Sequence, residues 1–270
     1  MRPAKIALIV STYENPAALE QVLRGLSRQS VAPAEALIAD DGSRSPTREL
    51  IDLWRSKFSW PLRHVWQPDD GFRKTMILNK AIAASISDYI VLLDGDCVPH
   101  PKFVEDHAAL AEESFWVQGR RCFVQESYVP TFSGDKISVV PWLLSGKISG
   151  AMKAIRFPVP LIRRDCQQRG IIGCNMGVWR NDLMAINGFD EDYAGWGLED
   201  SDLGTRLYHL GRPRKFVYGR AIVFHLNHPS LPRDQESAAR ARLEATIASR
   251  RIRCDKGLSQ YLVAPEVPSQ

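Results

Sequence analysis

Asp94-Gly95-Asp96 places two carboxylates two residues apart, just after the apolar run 89–93. Carboxylate oxygens at that spacing can grip one hard divalent cation, and a cation so held can neutralise a diphosphate and help it leave. A polar Asp-Gly turn is the plain alternative. Asp40-Asp41-Gly42-Ser43 follows another apolar run, 35–39, and offers carboxylates to a ribose or base, or else a turn with a helix cap. Asp69-Asp70-Gly71-Phe72-Arg73-Lys74 opens a helix-like segment. Gly71 lets the backbone come close to a ligand, and Arg73 and Lys74 could meet phosphate oxygens, since cations are otherwise disfavoured at a helix start.

Gly195-Trp196-Gly197-Leu198-Glu199-Asp200-Ser201-Asp202-Leu203 is the most specific segment. Carboxylates suit a helix N-terminus, but capping does not account for Gly-Trp-Gly. Trp196 could wall a sugar ring, and a neighbouring carboxylate could take a proton from a sugar hydroxyl. His225 and His228 follow a late strand-like run. A neutral imidazole there could complete a metal shell, with His225 preferred over His228, or serve only as packing.

Chemistry spread over so many segments needs elements that converge. Strand-like runs at 6–10, 35–39, 62–66 and 89–93 alternate with helix-like segments at 17–28, 47–57 and 75–85. That alternation predicts an α/β fold with a mostly parallel, Rossmann-like sheet flanked by helices. Ligands of such sheets lie beyond the carboxyl ends of the strands, where Ser11-Thr12-Tyr13, Asp40-Asp41-Gly42-Ser43 and Asp94-Gly95-Asp96 fall. Residues 134–160 read as a long loop with one short helix, 215–224 as a late strand, and 232–256 as a C-terminal helix with Leu243, Ile247, Ala248 and Ile252 at helical spacing. The expected division is a catalytic unit over 1–230, with a nucleotide half at 1–100 and an acceptor and catalytic half at 101–230, followed by a helix and tail at 231–270.

Composition narrows the classes. A chain of 270 residues with 44% apolar and 24% charged side chains builds an ordinary globular core. Its net charge of +4 comes without a dense Lys/Arg stripe interleaved with aromatics, so nucleic acid is not an expected partner. The five cysteines include no C-x-x-C pair, which disfavours a zinc knuckle or a disulfide framework. The run 6–10 is too short for a signal peptide core or a membrane span. A cytoplasmic protein is expected. Its C-terminal helix, in a stretch (233–256) with seven basic and four acidic side chains, could rest on an anionic membrane face or simply pack on the domain.

Val10-Ser11-Thr12-Tyr13, Ala39-Asp40-Asp41-Gly42-Ser43, Leu93-Asp94-Gly95-Asp96 and the Gly-Trp-Gly-Leu-Glu-Asp-Ser-Asp segment stand in the order of family 2 glycosyltransferases of the GT-A fold. The last also resembles the Trp-Gly-x-Glu-Asp motif of galactosyltransferases and chondroitin-polymerase-like enzymes. The resemblance covers about residues 5–228. It implies an inverting transfer of a hexose or N-acetylhexosamine from a UDP-sugar to a hydroxyl of a glycan or glycoconjugate, with Mn2+ or Mg2+. It implies Asp41, beside Asp40, at the uracil or ribose, and Asp94 and Asp96 at the ribose and the metal–diphosphate, both as metal ligands with Asp96 the surer of the two. Asp200 would be the base, Glu199 would bind donor or acceptor hydroxyls, and His225 would be the third protein ligand. Ser11, Thr12, Tyr13, Gly71, Arg73, Gly95 and Trp196 complete the expected donor site. Two other readings remain: nucleotidyl transfer or phosphohydrolysis through Asp-x-Asp, and a sugar-nucleotide or glycan-binding module without turnover.

Overall fold

A computed structural model describes residues 4–195, 197–228 and 236–262, without the side chains of 151 and 152. In chain order the elements are β1 (Ile6–Thr12), α1 (Pro16–Leu26), β2 (Glu35–Asp40), α2 (Ser45–Arg55), β3 (Leu62–Trp66), α3 (Lys74–Ala84), β4 (Tyr89–Asp94), β5 (Cys97–Pro99), α4 (Phe103–Leu110), β6 (Trp116–Gln118) and β7 (Arg120–Val124). There follow α5 (Val139–Leu144), β8 (Ile148–Ser149), α6 (Ala151–Ala154), β9 (Leu161–Asp165), β10 (Asn175–Trp179), α7 (Arg180–Ile186), α8 (Glu199–His209), β11 (Arg214–Tyr218), β12 (Ile222–Leu226) and α9 (Glu236–Ser249). Short 3₁₀ turns cover Glu126–Thr131 and Leu258–Tyr261.

An eight-stranded sheet runs in the order β3-β2-β1-β4-β10-β6-β11-β9. Its first four strands are parallel, as the strand–helix alternation requires. Beyond β4 it becomes mixed, because β10 pairs antiparallel with both β4 and β6. β1 is buried along its whole length, which its unbroken apolar run anticipates for a strand covered on both faces. One face packs on α1 and α2, the other on α3, α7 and α8. Asn15 starts α1 by accepting from the Ala18 N–H, with Pro16 at the first helical position. Among the described residues no helix is long and apolar enough to cross a membrane.

Three segments differ from the sequence reading. The late strand at 215–224 is two strands in two sheets: β11 stays in the large sheet, while β12 joins the four-stranded sheet β5-β12-β7-β8. Gly219 makes the break at φ +76°, where a Cβ would meet the Phe157 ring. The long loop at 134–160 contains α5, β8 and α6. The C-terminal helix stops at Ser249, with Arg250 left-handed at φ +52°, and its expected start at 232–235 lies outside the described residues. Its apolar stripe is not buried, Ile247 and Ile252 being about two-fifths exposed (41% and 39%).

Instead α9 is fastened by polar groups. Thr246 donates to Asp202 Oδ1 at 2.8 Å, and the other oxygen of Asp202 takes the Arg206 Nε–H at 2.7 Å. Arg206 also donates to the carbonyls of Ile186 and Gly188. Asp202 and Arg206 are fully buried, so this network ties α8 to α7 and α9 and fixes the head of α8 over the sheet.

Candidate active site

The carboxyl end of β2 turns through Gly42 at φ +103°, where a Cβ would lie 2.5 Å from the Asp69 α-carbon. Only glycine permits that approach. Asp40 is fully buried and is occupied by the Ser43 N–H and by His64 at 2.8 Å. Asp41 accepts from Gln67 at 2.6 Å and from the Arg73 N–H at 2.8 Å, which joins this turn to the start of α3. Burial lifts the Asp41 pKa above the usual carboxylate value. The Arg73 guanidinium points instead to Asp70 and the Pro68 carbonyl. Gly71, at φ +78°, has open space around it. Tyr13 is exposed and donates to Asp69 at 3.0 Å.

The carboxyl ends of β1 and β4 lie side by side, with Ser11 opposite Asp94. Asp94 Oδ1 accepts from Ser11 Oγ at 2.9 Å and from Lys74 Nζ at 2.8 Å. Thr12 is buried, and its carbonyl accepts from the Asp41 N–H. The Gly95 N–H donates to the Ser11 carbonyl at 2.7 Å, an approach a side chain at 95 would obstruct. Lys74 also lies 4.0 Å from Glu199, so one ammonium links the β4 turn to the head of α8. Burial opposes that charge, but Asp94 and Glu199 outweigh it and hold the Lys74 pKa above its ordinary value.

Glu199 and Asp200 occupy the first turn of α8, after Gly195, Gly197 and Leu198, all at positive φ. Leu198 in that conformation is strained, and the helix dipole favours the acids that follow. Asp200 Oδ2 accepts from the Gly173 N–H at 2.9 Å and Oδ1 from the Ser201 N–H at 2.6 Å. Glu199 Oε2 takes the Gly197 N–H at 3.2 Å. Burial and then the neighbouring Asp200 charge push Glu199 up to about 7; burial also raises Asp200, against the Gly173 bond and Lys74. Ser11, Lys74, Asp94, Gly173, Glu199 and Asp200 line one small cavity.

Asp96 turns the other way. Its side chain meets His228 Nε2 at 3.0 Å and His225 Nε2 at 3.7 Å, and one ligand atom from each of the three lies within 4.8 Å of the others. The Leu226 N–H donates to the Asp96 carbonyl, which docks β12 against this turn. Asp96 Oδ1 and His225 Nδ1 are buried without a hydrogen-bond partner. A carboxylate and two imidazoles, with Asp96 Oδ1 and His225 Nδ1 unspent, fit a divalent cation. Burial lowers the His225 pKa, which keeps its ring neutral and able to ligate. Asp94 joins a different set, with Cys97 and Cys174, whose thiols suit softer ions.

The structure therefore gathers Ser11, Asp94, Glu199 and Asp200 in one cluster and Asp96 with His225 in an adjoining one. It leaves Asp40 in the interior and the Arg73 and Tyr13 side chains on the Asp69–Asp70 loop. Trp196 lies outside the described residues. Lys74 is the central group that the sequence reading named only as a phosphate contact, and its position at the start of α3, opposite three acids, is visible only in three dimensions. His228 lies closer to Asp96 than the preferred His225.

The model of "Glycosyl transferase family 2" matches residues 7–178, more than half of the chain. The chain belongs to glycosyl transferase family 2. A second model, "N-terminal domain of galactosyltransferase", matches residues 158–229, which include the head of α8 and His225. Among similar proteins, chondroitin synthase of Escherichia coli is 23% identical over 92% of this chain and 38% of its own length. Validoxylamine A glucosyltransferase of Streptomyces hygroscopicus subsp. limoneus is 26% identical over 77% of this chain and 49% of its own. Hyaluronan synthase of Pasteurella multocida is 25% identical over 87% of this chain and 26% of its own. The chain thus spans less than half the length of these relatives. Among solved structures, S. aureus TarS superposes with a TM-score of 0.65 at 13% identity, covering 95% of this chain and 41% of that one. The mannosyltransferase PcManGT of Pyrobaculum calidifontis, solved with GDP-Man and Mn2+, gives 0.57 at 18% identity, over 97% of this chain and 69% of that one. The fold is accordingly GT-A-like: a mixed central sheet flanked by helices.

Proposed function

We propose that this glycosyl transferase family 2 chain moves a sugar from a UDP-sugar to a hydroxyl of a glycan or glycoconjugate in one inverting displacement. The observation that carries this reading is the joining of Glu199 to the Asp94 turn through Lys74, with Asp200 lining the same cavity and the Asp96–His225–His228 set beside it. Asp200, aimed by two backbone N–H groups, takes the proton of the acceptor hydroxyl as its oxygen attacks the anomeric carbon and the bond to the diphosphate breaks. The raised Asp200 pKa makes that carboxylate a stronger base. Glu199 binds hydroxyls of donor or acceptor. Asp96 with His225 or His228 would hold Mn2+ or Mg2+, which offsets the charge gathering on the leaving diphosphate. Ser11, Thr12, Asp41, Asp94 and Gly95 shape the nucleotide side, and Trp196 is assigned to a wall of the sugar site. Residues 1–100 form the nucleotide half and 101–230 the acceptor half. The names of the chondroitin and hyaluronan synthases support a glycan acceptor.

Thermal unfolding with a panel of nucleotide sugars tests the donor. UDP-sugars should raise the midpoint in Mn2+ and lose that effect in chelator; stabilisation by GDP- or ADP-sugars alone overturns the UDP assignment. We also propose a peripheral membrane contact through the exposed Ile247 and Ile252. Co-sedimentation with anionic vesicles that is unchanged in Ile247→Glu/Ile252→Glu refutes it.

A further inference from the structure

The face of the large sheet that carries Ser11 and Asp94 continues across β10 and β6 to the edge made by β11 and β9, and there it becomes basic and aromatic. Register places Phe216 and Tyr218 on that face beside Arg163 and Leu161, with Gln118 on the other side of Phe216. β10 runs antiparallel to β4 and to β6, and β11 runs parallel to β6. The carboxyl ends of β6 and β11 therefore lie at the same end of the sheet as Asp94. Arg120, two residues past Gln118, is at that end.

The guanidinium carbons of Arg120, Arg163 and Arg214 lie 4.6, 4.9 and 4.7 Å from the centre of the Phe216 ring. Arg120 also lies 4.9 Å over Tyr218. Asp165 answers Arg163 at 2.6 Å and Arg214 at 2.8 Å. No carboxylate lies within ion-pair distance of Arg120 among the described residues, and its buried Nε has no hydrogen-bond partner. Burial, and the repulsion of Arg214, Arg121 and Arg163, pull its pKa below the ordinary arginine value. Like charges packed around one ring repel, and a single carboxylate does not neutralise three guanidinium groups. Such an arrangement is set up to receive an anion from outside. Arginine receives carboxylates and phosphates through paired, charge-assisted hydrogen bonds, and the half-buried Tyr218 ring adds an apolar surface for a sugar.

The patch is tied to the reaction centre. Gly170, in the segment between β9 and β10, approaches the Phe216 ring so that a Cβ would lie 3.8 Å away, and three residues on the Gly173 N–H holds Asp200. Three strand spacings separate β4 from β11, about 14–15 Å. That is the reach of a short oligosaccharide, longer than one sugar ring.

We propose that the acceptor is an anionic glycan, and that Arg120 and Arg163, over Phe216 and Tyr218, bind a carboxylate or phosphate ester it carries some distance from the reacting hydroxyl. This rests on the glycosyl-transfer reading and names the acceptor class for the same site. The test is calorimetric titration of the full chain, without donor, using three oligomers of equal length: one containing hexuronate, one a polyol phosphate, one neutral. An anionic probe should bind at least about tenfold tighter than the neutral one and weaken as salt rises; Arg120→Gln and Arg163→Gln should each lose about tenfold. Which anionic probe binds tighter identifies the source of the charge. Arg163 is more than half exposed, so Arg163→Gln keeps the test decisive even where Arg120→Gln unfolds. Equal binding of all three oligomers, or full affinity in Arg163→Gln, overturns the proposal. Release of nucleoside diphosphate without acceptor reads the transfer chemistry separately. A chain that turns over donor but ignores acceptor charge sinks this proposal alone; a chain that binds the anionic probe and never turns over donor sinks the reading beneath it.

Discussion

Asp200→Asn separates the proton-transfer role from the structural one. Asp200 spends Oδ2 on the Gly173 N–H at 2.9 Å and Oδ1 on the Ser201 N–H at 2.6 Å. Asparagine keeps the shape but offers one acceptor and one donor group, so one backbone N–H is left facing a donor. An unsatisfied buried donor costs about 1–3 kcal/mol, which should lower the unfolding midpoint by several degrees without preventing folding. The effect on chemistry should be larger. Loss of a general base slows the step by about 10²–10⁴-fold, or about 3–5 kcal/mol of barrier. Donor affinity should change little, because the Asp96–His225–His228 set and the β1 and β4 turns lie on other elements. The assay is single-turnover transfer at saturating donor beside a calorimetric donor titration, for Asp200→Asn and Glu199→Gln together. Near-normal transfer by Asp200→Asn with a dead Glu199→Gln would move the base to Glu199. Undiminished rates in both variants would refute a carboxylate-assisted single displacement altogether.

Asp96→Ala should abolish Mn2+-dependent binding of UDP, and whichever of His225→Ala and His228→Ala removes the ligating imidazole should weaken it; calorimetry with and without Mn2+ reads this, and UDP binding by Asp96→Ala equal to the parent's contradicts it. Breaking the buried Asp202–Arg206–Thr246 network by Arg206→Met should destabilise the fold by about 3–5 kcal/mol in denaturant titration, because it strands the Asp202 charge. Glu199, lifted from 4.5 to about 7, holds more protons in the folded than in the unfolded chain between those values. Its contribution therefore favours folding below pH 4.5 and is lost as pH rises through about 7. Glu199→Gln should be more stable than the parent at pH 8, by up to about 3 kcal/mol, with the gap closing toward pH 4.5.

The first hundred residues were legible because their signals are local. Apolar runs set β1, β2 and β4, Asn15-Pro16 sets a helix start, and the acidic turns fall at strand ends where the fold places ligands. Beyond β4 the chain was harder to read. The reversal of β10 depends on its pairing with β4, and the break between β11 and β12 depends on Gly219 meeting Phe157, a contact across about sixty residues of sequence. The acidic run of α8 shows the same limit within one turn: Asp200 faces the cavity while Asp202, two residues on, is sealed against Arg206 and Thr246. Sequence spacing alone does not separate the two. Lys74 likewise reads as a basic first turn until α3 brings it between Asp94 and Glu199. The apolar stripe of α9 suggested packing or a membrane face, yet the helix is held by Thr246, a polar residue inside it.

In the proposed function, the carboxylates at the end of β4 and at the head of α8 serve one metal-assisted transfer from a nucleotide sugar. The measurement that meets it most directly is release of nucleoside diphosphate from a UDP-sugar panel, run in Mn2+ and again in chelator. Release is expected in Mn2+ with at least one UDP-sugar, faster with an acceptor glycan present, and none above background in chelator. Release that is equal in Mn2+ and in chelator, or absent with every nucleotide sugar while the folded chain still binds Mn2+, would contradict it.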